Sequence, residues 1–288
     1  MATLVDMTET PDTAARREAS RGPLDADRLR AALPEWNRVD VVELTGSTNA
    51  DLVAQATEAS DRTALIAANQ SAGRGRLARQ WVAPANSNVA ISALFHPHGL
   101  SGEALGLIPL ATGLALVDAL TTTAGLPEEK VRLKWPNDVL VGGRKICGIL
   151  VEAASFKPIS LVVGIGVNIS IETDELPVPH ATSLLLENAE NIDRTDISAA
   201  ILSALSRREQ QLHTAPAQLM ADYRRVCATI GQEVRAEMPG DRVIVGTAVD
   251  VRDDGELLIR DESGTVHVVA AGDVSHLRGR SGGYNAQS

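Results

Sequence analysis

A chain of 288 residues with 44% hydrophobic and 22% charged residues has room for one large domain and a small one, each with a buried core. Its net charge of -10 argues against broad binding to nucleic acid or an anionic membrane surface, and no apolar run reads as long enough to span a bilayer. The only cysteines, Cys147 and Cys227, lie far apart, and the N-terminus lacks the apolar stretch of a secretory leader, so reduced thiols in a cytoplasm are expected.

Residues 1–22 are rich in Thr, Glu, Asp, Ala and Arg without apolar periodicity, so the segment 1–36 is expected to be largely disordered. A short helix over Leu24–Leu33, ended by Pro34, leaves no room for a helix-turn-helix DNA-binding domain. The main domain, expected over 37–230, opens with a strand at Val39–Leu44. Thr45-Gly46-Ser47-Thr48-Asn49 then leads into a helix reaching about Glu58. An N-cap made by Ser47 or Thr48 is the simpler reading of these hydroxyls; the alternative is that they and the Asn49 amide hydrogen-bond a polar ligand at the helix N-terminus.

A strand at Leu65–Asn69 runs into Gln70-Ser71-Ala72-Gly73-Arg74-Gly75-Arg76-Leu77-Ala78-Arg79-Gln80-Trp81, which carries three arginines and no acid in an acidic chain. Gly73 and Gly75 leave the backbone free to close around a ligand while guanidinium groups point at it. At 4 Å and an effective dielectric near 20, each such charge pair is worth roughly 4 kcal/mol, enough to hold two repelling anions side by side. The plainer alternative is a solvated Arg-rich loop. The P-loop pattern is excluded, because no Gly-Lys-Ser/Thr occurs. Gly73-x-Gly75-x-x-Ala78 fits the loose dinucleotide fingerprint, yet Pro84-Ala85-Asn86-Ser87-Asn88 follows where a helix is required.

A strand at Val89–Leu94 and a long helix over about Glu103–Ala124 come next, the helix ended by Gly125 and Pro127. In the block Val131–Glu152, Gly142-Gly143 joins two short apolar runs as a hairpin, and Pro136 forces a turn expected to expose Asn137 and Asp138. Lys145, beside the Gly turn, either snorkels to water or aims its charge into a cleft. Cys147, inside an apolar run, reads as a buried small residue. The strand Ser160–Ile169 contains Gly164 and Gly166, a sign of close ligand approach, with Asn168 near the same point. Helices over Asp196–His213 and Pro216–Thr229 complete the domain. Four short strands, Val234–Met238, Arg242–Val251, Glu256–Arg260 and Val266–Ala270, predict a small SH3-like β-barrel over 231–278, followed by a flexible tail, 279–288.

Taken together, Ser47-Thr48-Asn49, Gln70-x-x-Gly73-Arg74-Gly75-Arg76, Lys134-Trp135-Pro136-Asn137-Asp138, Arg144-Lys145-x-x-Gly148-Ile149-Leu150-Val151-Glu152 and Gly164-x-Gly166-x-Asn168 resemble the biotin–protein ligases in order and spacing, from about Val39 to Leu277. The resemblance implies an α+β fold: a mixed β-sheet flanked by helices, class II synthetase-like, with the C-terminal barrel. It implies that ATP and biotin condense to biotinyl-5′-AMP and pyrophosphate, and that a lysine of a biotin carboxyl carrier domain of an acyl-CoA carboxylase then takes the biotin. By the same resemblance Lys145, Arg74 and Arg76 are catalytic, and Ser47, Thr48, Asn49, Gln70, Gly73, Gly75 and Gly148 join them around biotin. Arg76, Arg79, Trp81 (stacking adenine), Lys134, Asn137, Asp138 and Asn168 face the nucleotide. Asp138 is expected to assist Mg²⁺, with no resident metal, and the arginine loop to order on ligand binding. A cytoplasmic monomer or weak homodimer that binds neither DNA nor membrane is expected. The rivals are a lipoate–protein ligase and a non-catalytic biotin sensor.

Overall fold

Strands rich in Val, Ile, Leu and Ala build the larger of two β-sheets in the computed structural model, which describes residues 11–97, 104–238, 240, 242–270 and 272–277. This sheet comprises β1 (Arg38–Thr45), β2 (Thr63–Gln70), β3 (Asn88–Phe95), β4 (Val131–Lys134), β5 (Asp138–Val141), β6 (Arg144–Phe156) and β7 (Ile159–Asn168), in the order β1-β2-β3-β7-β6-β5-β4. β1 is parallel to β2, and the other pairings are antiparallel, so the sheet is mixed. Helices α2 (Ala26–Ala32), α4 (Ile108–Thr122), α5 (Arg194–Thr214) and α6 (Pro216–Val226) share its large apolar core. On the opposite face α3 (Thr48–Gln55) packs Leu52 with Ala56, Leu65, Leu94 and Val162 in a separate small cluster.

Side chains alternate across a pleated strand. Ile91, Ile149, Ile165 and Val167 therefore enter the large core, and the register leaves Ala90, Ser92, Gly148, Gly164 and Gly166 side by side on the α3 face. That bare strip leaves room on the sheet for other side chains. A Cβ on Gly164 would lie 2.2 Å from Asn49 Oδ1, and one on Gly166 2.5 Å from the Trp81 ring.

The N-terminal segment departs from the disorder expected of it. Residues 1–10 lie outside the described residues, but α1 (Pro11–Ser20) is helical, and Arg17 and Arg21 form ion pairs with Glu172 and Glu175. Apolar periodicity missed it because charge holds it. The apolar stretch Ala104–Thr122 is also a correction: its 19 residues are long and apolar enough, by length and composition, to cross a membrane. Two-thirds of it is buried inside the protein, where α4 packs on α5, as expected of a core helix. It begins with a 3₁₀ turn, Ala104–Leu107, because Pro109 suits only the first turn of α4; Glu103, the expected start, lies outside the described residues.

The C-terminal unit is a five-stranded antiparallel sheet of β8 (Glu233–Met238), β9 (Arg242–Val251), β10 (Leu257–Arg260), β11 (Val266–Val269) and β12 (Asp273–His276), ordered β11-β10-β9-β8-β12. Sequence reading found four of these strands. β12, Asp-Val-Ser-His, offers one apolar residue and gives no pattern to find. The expected tail, 279–288, lies outside the described residues. Trp135 joins the two sheets, its buried indole Nε1 donating to the Gly255 carbonyl at 2.9 Å.

Gly246 marks a tight point in this unit: an added Cβ would lie 2.2 Å from the Arg260 carbonyl oxygen. Gly246→Ala is expected to lower stability by roughly 1–3 kcal/mol, measured by urea unfolding.

Candidate functional site

The site begins where β1 ends. Thr45-Gly46 turns the chain off the sheet and Ser47 caps α3, its Oγ accepting from the Ala50 amide at 3.5 Å. This fixes Thr48 and Asn49, both buried, over the bare strip. Thr48 donates to Gln70 Oε1 from its backbone N at 2.9 Å and from its hydroxyl at 3.1 Å. Ser92 Oγ lies 2.7 Å from Thr48 Oγ1 and 2.5 Å from Asn49 Oδ1. The Asn49 amide donates to Glu152 Oε2 at 2.9 Å. The cap and the polar cluster are one structure, so the two readings of Ser47-Thr48-Asn49 do not compete.

From Gln70 the arginine loop folds over this cluster as a closed turn. Trp81 N donates to Gly73 O at 2.9 Å, and Gly75 N to Arg79 O at 2.7 Å. Gly73 is needed for that closure, since a Cβ there would lie 2.4 Å from Trp81 O. Each arginine of the loop has its own partner. Arg74 Nη1 is 3.3 Å from Glu152 Oε1. Arg76 donates to Asn137 Oδ1 at 2.8 Å and to Gly272 O at 3.0 Å, and Arg79 pairs with Asp273. Burial, only partly offset by Asp273 and Asp138, pulls the Arg76 guanidinium below its usual range.

Lys145 is the second residue of β6 and aims into the cleft, its Nζ 2.7 Å from Asp138 Oδ1 and 5.9 Å from the Trp81 ring centre. Asp138 is not exposed at the turn as expected: its side chain is 12% accessible, because β5 pairs it with β4 and two lysines face it. The second, Lys134, is buried with Nζ 3.9 Å from Asp138 Oδ2, and burial lowers its pKa. The Asn137 amide donates to Ile149 O at 2.9 Å, which turns its Oδ1 to Arg76.

One cleft, with an empty volume of about 930 Å³ including open solvent, is lined by Ser47, Thr48, Asn49, Gln70, Arg74, Gly75, Arg76, Arg79, Trp81, Lys134, Asn137, Asp138, Lys145 and Gly148. Two expected residues stand outside it. Asn168 is buried and donates to Thr182 O at 2.9 Å, so it braces a loop. Gly73 lines a depression on the outer side of the arginine loop. Trp81 lies in the cleft flat against the Gly148–Gly166 strip, with a buried Nε1 that has no partner among the described residues. Sequence reading missed Ser92, Glu152 and Asp273. A lone hydroxyl within the apolar run Val89–Leu94 was a signal for Ser92; Asp273 gave none.

Among the described residues no three His, Cys, Asp or Glu side chains gather as a metal site. The Asp138 carboxylate is already shared by two lysines, so the donor set does not form a resident metal site. Burial pushes the Cys147 thiol far above its ordinary value, which removes it as a nucleophile. The arrangement suits drawing two anions together: polar groups at one end, cations along the wall, small residues beneath.

Comparison with known proteins follows the same division. Residues 41–170 match the model of the Biotin/lipoate A/B protein ligase family, and residues 229–277 that of the Biotin protein ligase C terminal domain. The chain is 42% identical over 268 residues to the biotin–[acetyl-CoA-carboxylase] ligase of Mycobacterium tuberculosis, covering 91% of this chain and 99% of that one. A biotin protein ligase from Aquifex aeolicus, solved in complex with biotin and ATP, superposes with a TM-score of 0.71 at 28% identity, covering 85% of this chain and all (100%) of that one. A biotin protein ligase from Leishmania major, solved with biotinyl-5-AMP, gives 0.59 at 26% identity, covering 82% and 99%.

Within the field of Lys134, His276 Nε2 lies 3.1 Å from Thr229 Oγ1, which accepts from the Trp135 amide at 3.0 Å. Burial first, then Lys134, lowers the His276 pKa from 6.5 to about 4. Unfolded chain therefore binds a proton that folded chain refuses, so this contribution is intact above 6.5 and is lost as pH falls toward about 4. The expected loss approaches 1.4 kcal/mol per pH unit, at order-of-magnitude precision, within that window. His276→Gln should flatten the slope, read from urea midpoints against pH.

Proposed function

Because the chain belongs to the biotin/lipoate A/B protein ligase family, we propose that its cleft joins biotin to ATP and passes the acyl group to a protein lysine. In the first step a biotin carboxylate oxygen attacks the α-phosphorus of ATP; the new O–P bond forms as pyrophosphate leaves, giving biotinyl-5′-AMP. In the second, an acceptor lysine amine attacks the acyl carbon, AMP leaves, and an amide remains. Both reactants of the first step are anions, so its barrier is one of repulsion and position.

The observation that carries this reading is the set of cations around one cleft, each held by a partner that substrate oxygens can replace. Arg79–Asp273 and Arg74–Glu152 are half-exposed pairs, of a kind worth about 1 kcal/mol or less. A carboxylate or phosphate arriving with more charge exchanges with them at little cost. Lys145 and Arg74 then hold the biotin carboxylate, Arg76 and Arg79 the phosphates, and buried Lys134 adds a field behind Asp138. Thr48, Gln70 and Ser92 supply donors and acceptors for the polar ring, over the glycine strip. Trp81 supplies an apolar face for acyl chain or adenine. Mg²⁺ enters in this proposal with the nucleotide's phosphates, as it usually does; Asp138 and Asp273 are carboxylates that line the cleft.

The acceptor is a biotin carboxyl carrier domain of an acyl-CoA carboxylase, in keeping with the name of the Mycobacterium tuberculosis relative. Operator binding forms no part of the proposal, since the α1 arginines are engaged within the protein.

Biotin-dependent ATP–pyrophosphate exchange tests the first step, and exchange supported by lipoate alone would overturn it. Lys145→Ala is expected to lower exchange by roughly 10²–10³-fold while the melting temperature stays put. Mass spectrometry of a carrier domain incubated with enzyme, biotin and MgATP should show one biotinyl addition, on a lysine.

A further inference from the structure

The chemistry above does not use α1, although the helix and its end carry three arginines turned back onto the protein. Arg17 pairs with Glu172. Arg21 grips Glu175, with Nη1 3.1 Å from Oε1, and donates to the Ser170 carbonyl at 2.7 Å. Its hydrogen bond is the main reason the Glu175 carboxyl sits below the usual range. Arg16 donates to the Ala189 carbonyl. The far end of the helix is held from within: Arg194 of α5, only 2% accessible, donates to Ser20 O at 3.1 Å and Gly22 O at 2.5 Å. The same guanidinium reaches Ala68 O at 3.4 Å and Asn88 O at 3.2 Å.

The segments gripped this way lead into the cleft. Ala68 lies on β2, which ends at Gln70. Glu172 and Glu175 are joined by a reciprocal capping box, so the 3₁₀ turn Thr173–Glu175 moves as a unit. Leu176-Pro177-Val178-Pro179 then carries the chain to His180, with two fixed φ angles limiting slack. There the backbone brackets Lys145: Lys145 N donates to His180 O at 2.8 Å, and Thr182 N donates to Lys145 O at 2.8 Å. A helix that ends 18 positions before the first strand of the main sheet, at Ser20 against Arg38, is thus linked by ion pairs to the backbone that carries the catalytic lysine.

We infer that α1 is a brace for the site and that Arg17 and Arg21 are positioning residues for Lys145 in acyl-adenylate formation. The inference rests on the ligase reading. Loosening the brace lets the Lys145 ammonium wander while the polar cluster of Thr48, Gln70 and Ser92 keeps its place. The turnover number should fall, and the biotin KM should hold.

The test uses the full chain in biotin-dependent ATP–pyrophosphate exchange, well below every variant's melting temperature. Arg17→Glu is expected to lower kcat about fivefold or more with the biotin KM within about twofold, because a mispositioned catalytic group acts on the transition state. The charge-swapped pair Arg17→Glu/Glu172→Arg should recover at least half of the lost kcat. If Arg17→Glu does not fold, Arg17→Gln carries the same test, with a fall of about threefold for the lost ion pair. A wild-type kcat in the single variant, even with a lowered melting temperature, would overturn the brace, as would a swap that restores stability without kcat. A wild-type protein silent in exchange would instead overturn the ligase reading, so the two failures are distinct.

Discussion

Positive charge crowded into one cleft of an acidic protein is the constraint on which the remaining structure depends. Arg74, Arg76, Arg79, Lys134 and Lys145 all face the same space. Left alone they would repel one another, and burial would raise the cost further, as the lowered pKa values of Arg76 and Lys134 register. The fold answers with acceptors drawn from distant parts of the chain, Asp138 being shared between Lys134 and Lys145. Glu152 comes from β6, Asp138 from β5, Asp273 from β12, and the Gly272 carbonyl from the C-terminal unit. The small C-terminal sheet is therefore part of the cleft's electrostatics as well as its wall.

The second requirement is space. A sheet normally covers its faces with side chains; this one leaves Gly148, Gly164 and Gly166 bare in the register where three strands meet. The indole of Trp81 and the amide of Asn49 lie directly on backbone there. Glycine costs strand stability, and the deep core on the opposite face, with Ile91, Ile149 and Ile165 nearly inaccessible, offsets that loss. A rigid platform under a cationic loop meets the geometric demand of acyl-adenylate chemistry, in which reacting groups must be held close without water between them.

Much of this was legible in the residues, and the limits have physical causes. Alternating and apolar runs gave β1, β2, β3 and β7, and Gly142-Gly143 gave the hairpin, with both glycines at positive φ. The motifs that carry the family resemblance gave most of the residues that line the cleft. What escaped was whatever depends on long-range pairing. Helix α1 and its end have no apolar face to announce them and are held by charge to Glu172 and Glu175, more than 150 positions away. Asn168 carries the right chemistry but is buried with its amide committed to the Thr182 carbonyl, outside the cleft. Asp138 stands two positions after Pro136, which suggests exposure, yet strand pairing buries it between two lysines.

The central claim is that the cleft's cations trade their protein partners for the carboxylate and phosphates of two substrates. A crystal structure with biotin and a non-hydrolysable ATP analogue measures this most directly. The account predicts Lys145 Nζ and a guanidinium of Arg74 or Arg76 within hydrogen-bonding distance of the carboxylate and α-phosphate, with Glu152 or Asp138 released. Both ligands bound with Lys145 still on Asp138, Arg74 still on Glu152 and neither side chain touching substrate would contradict it.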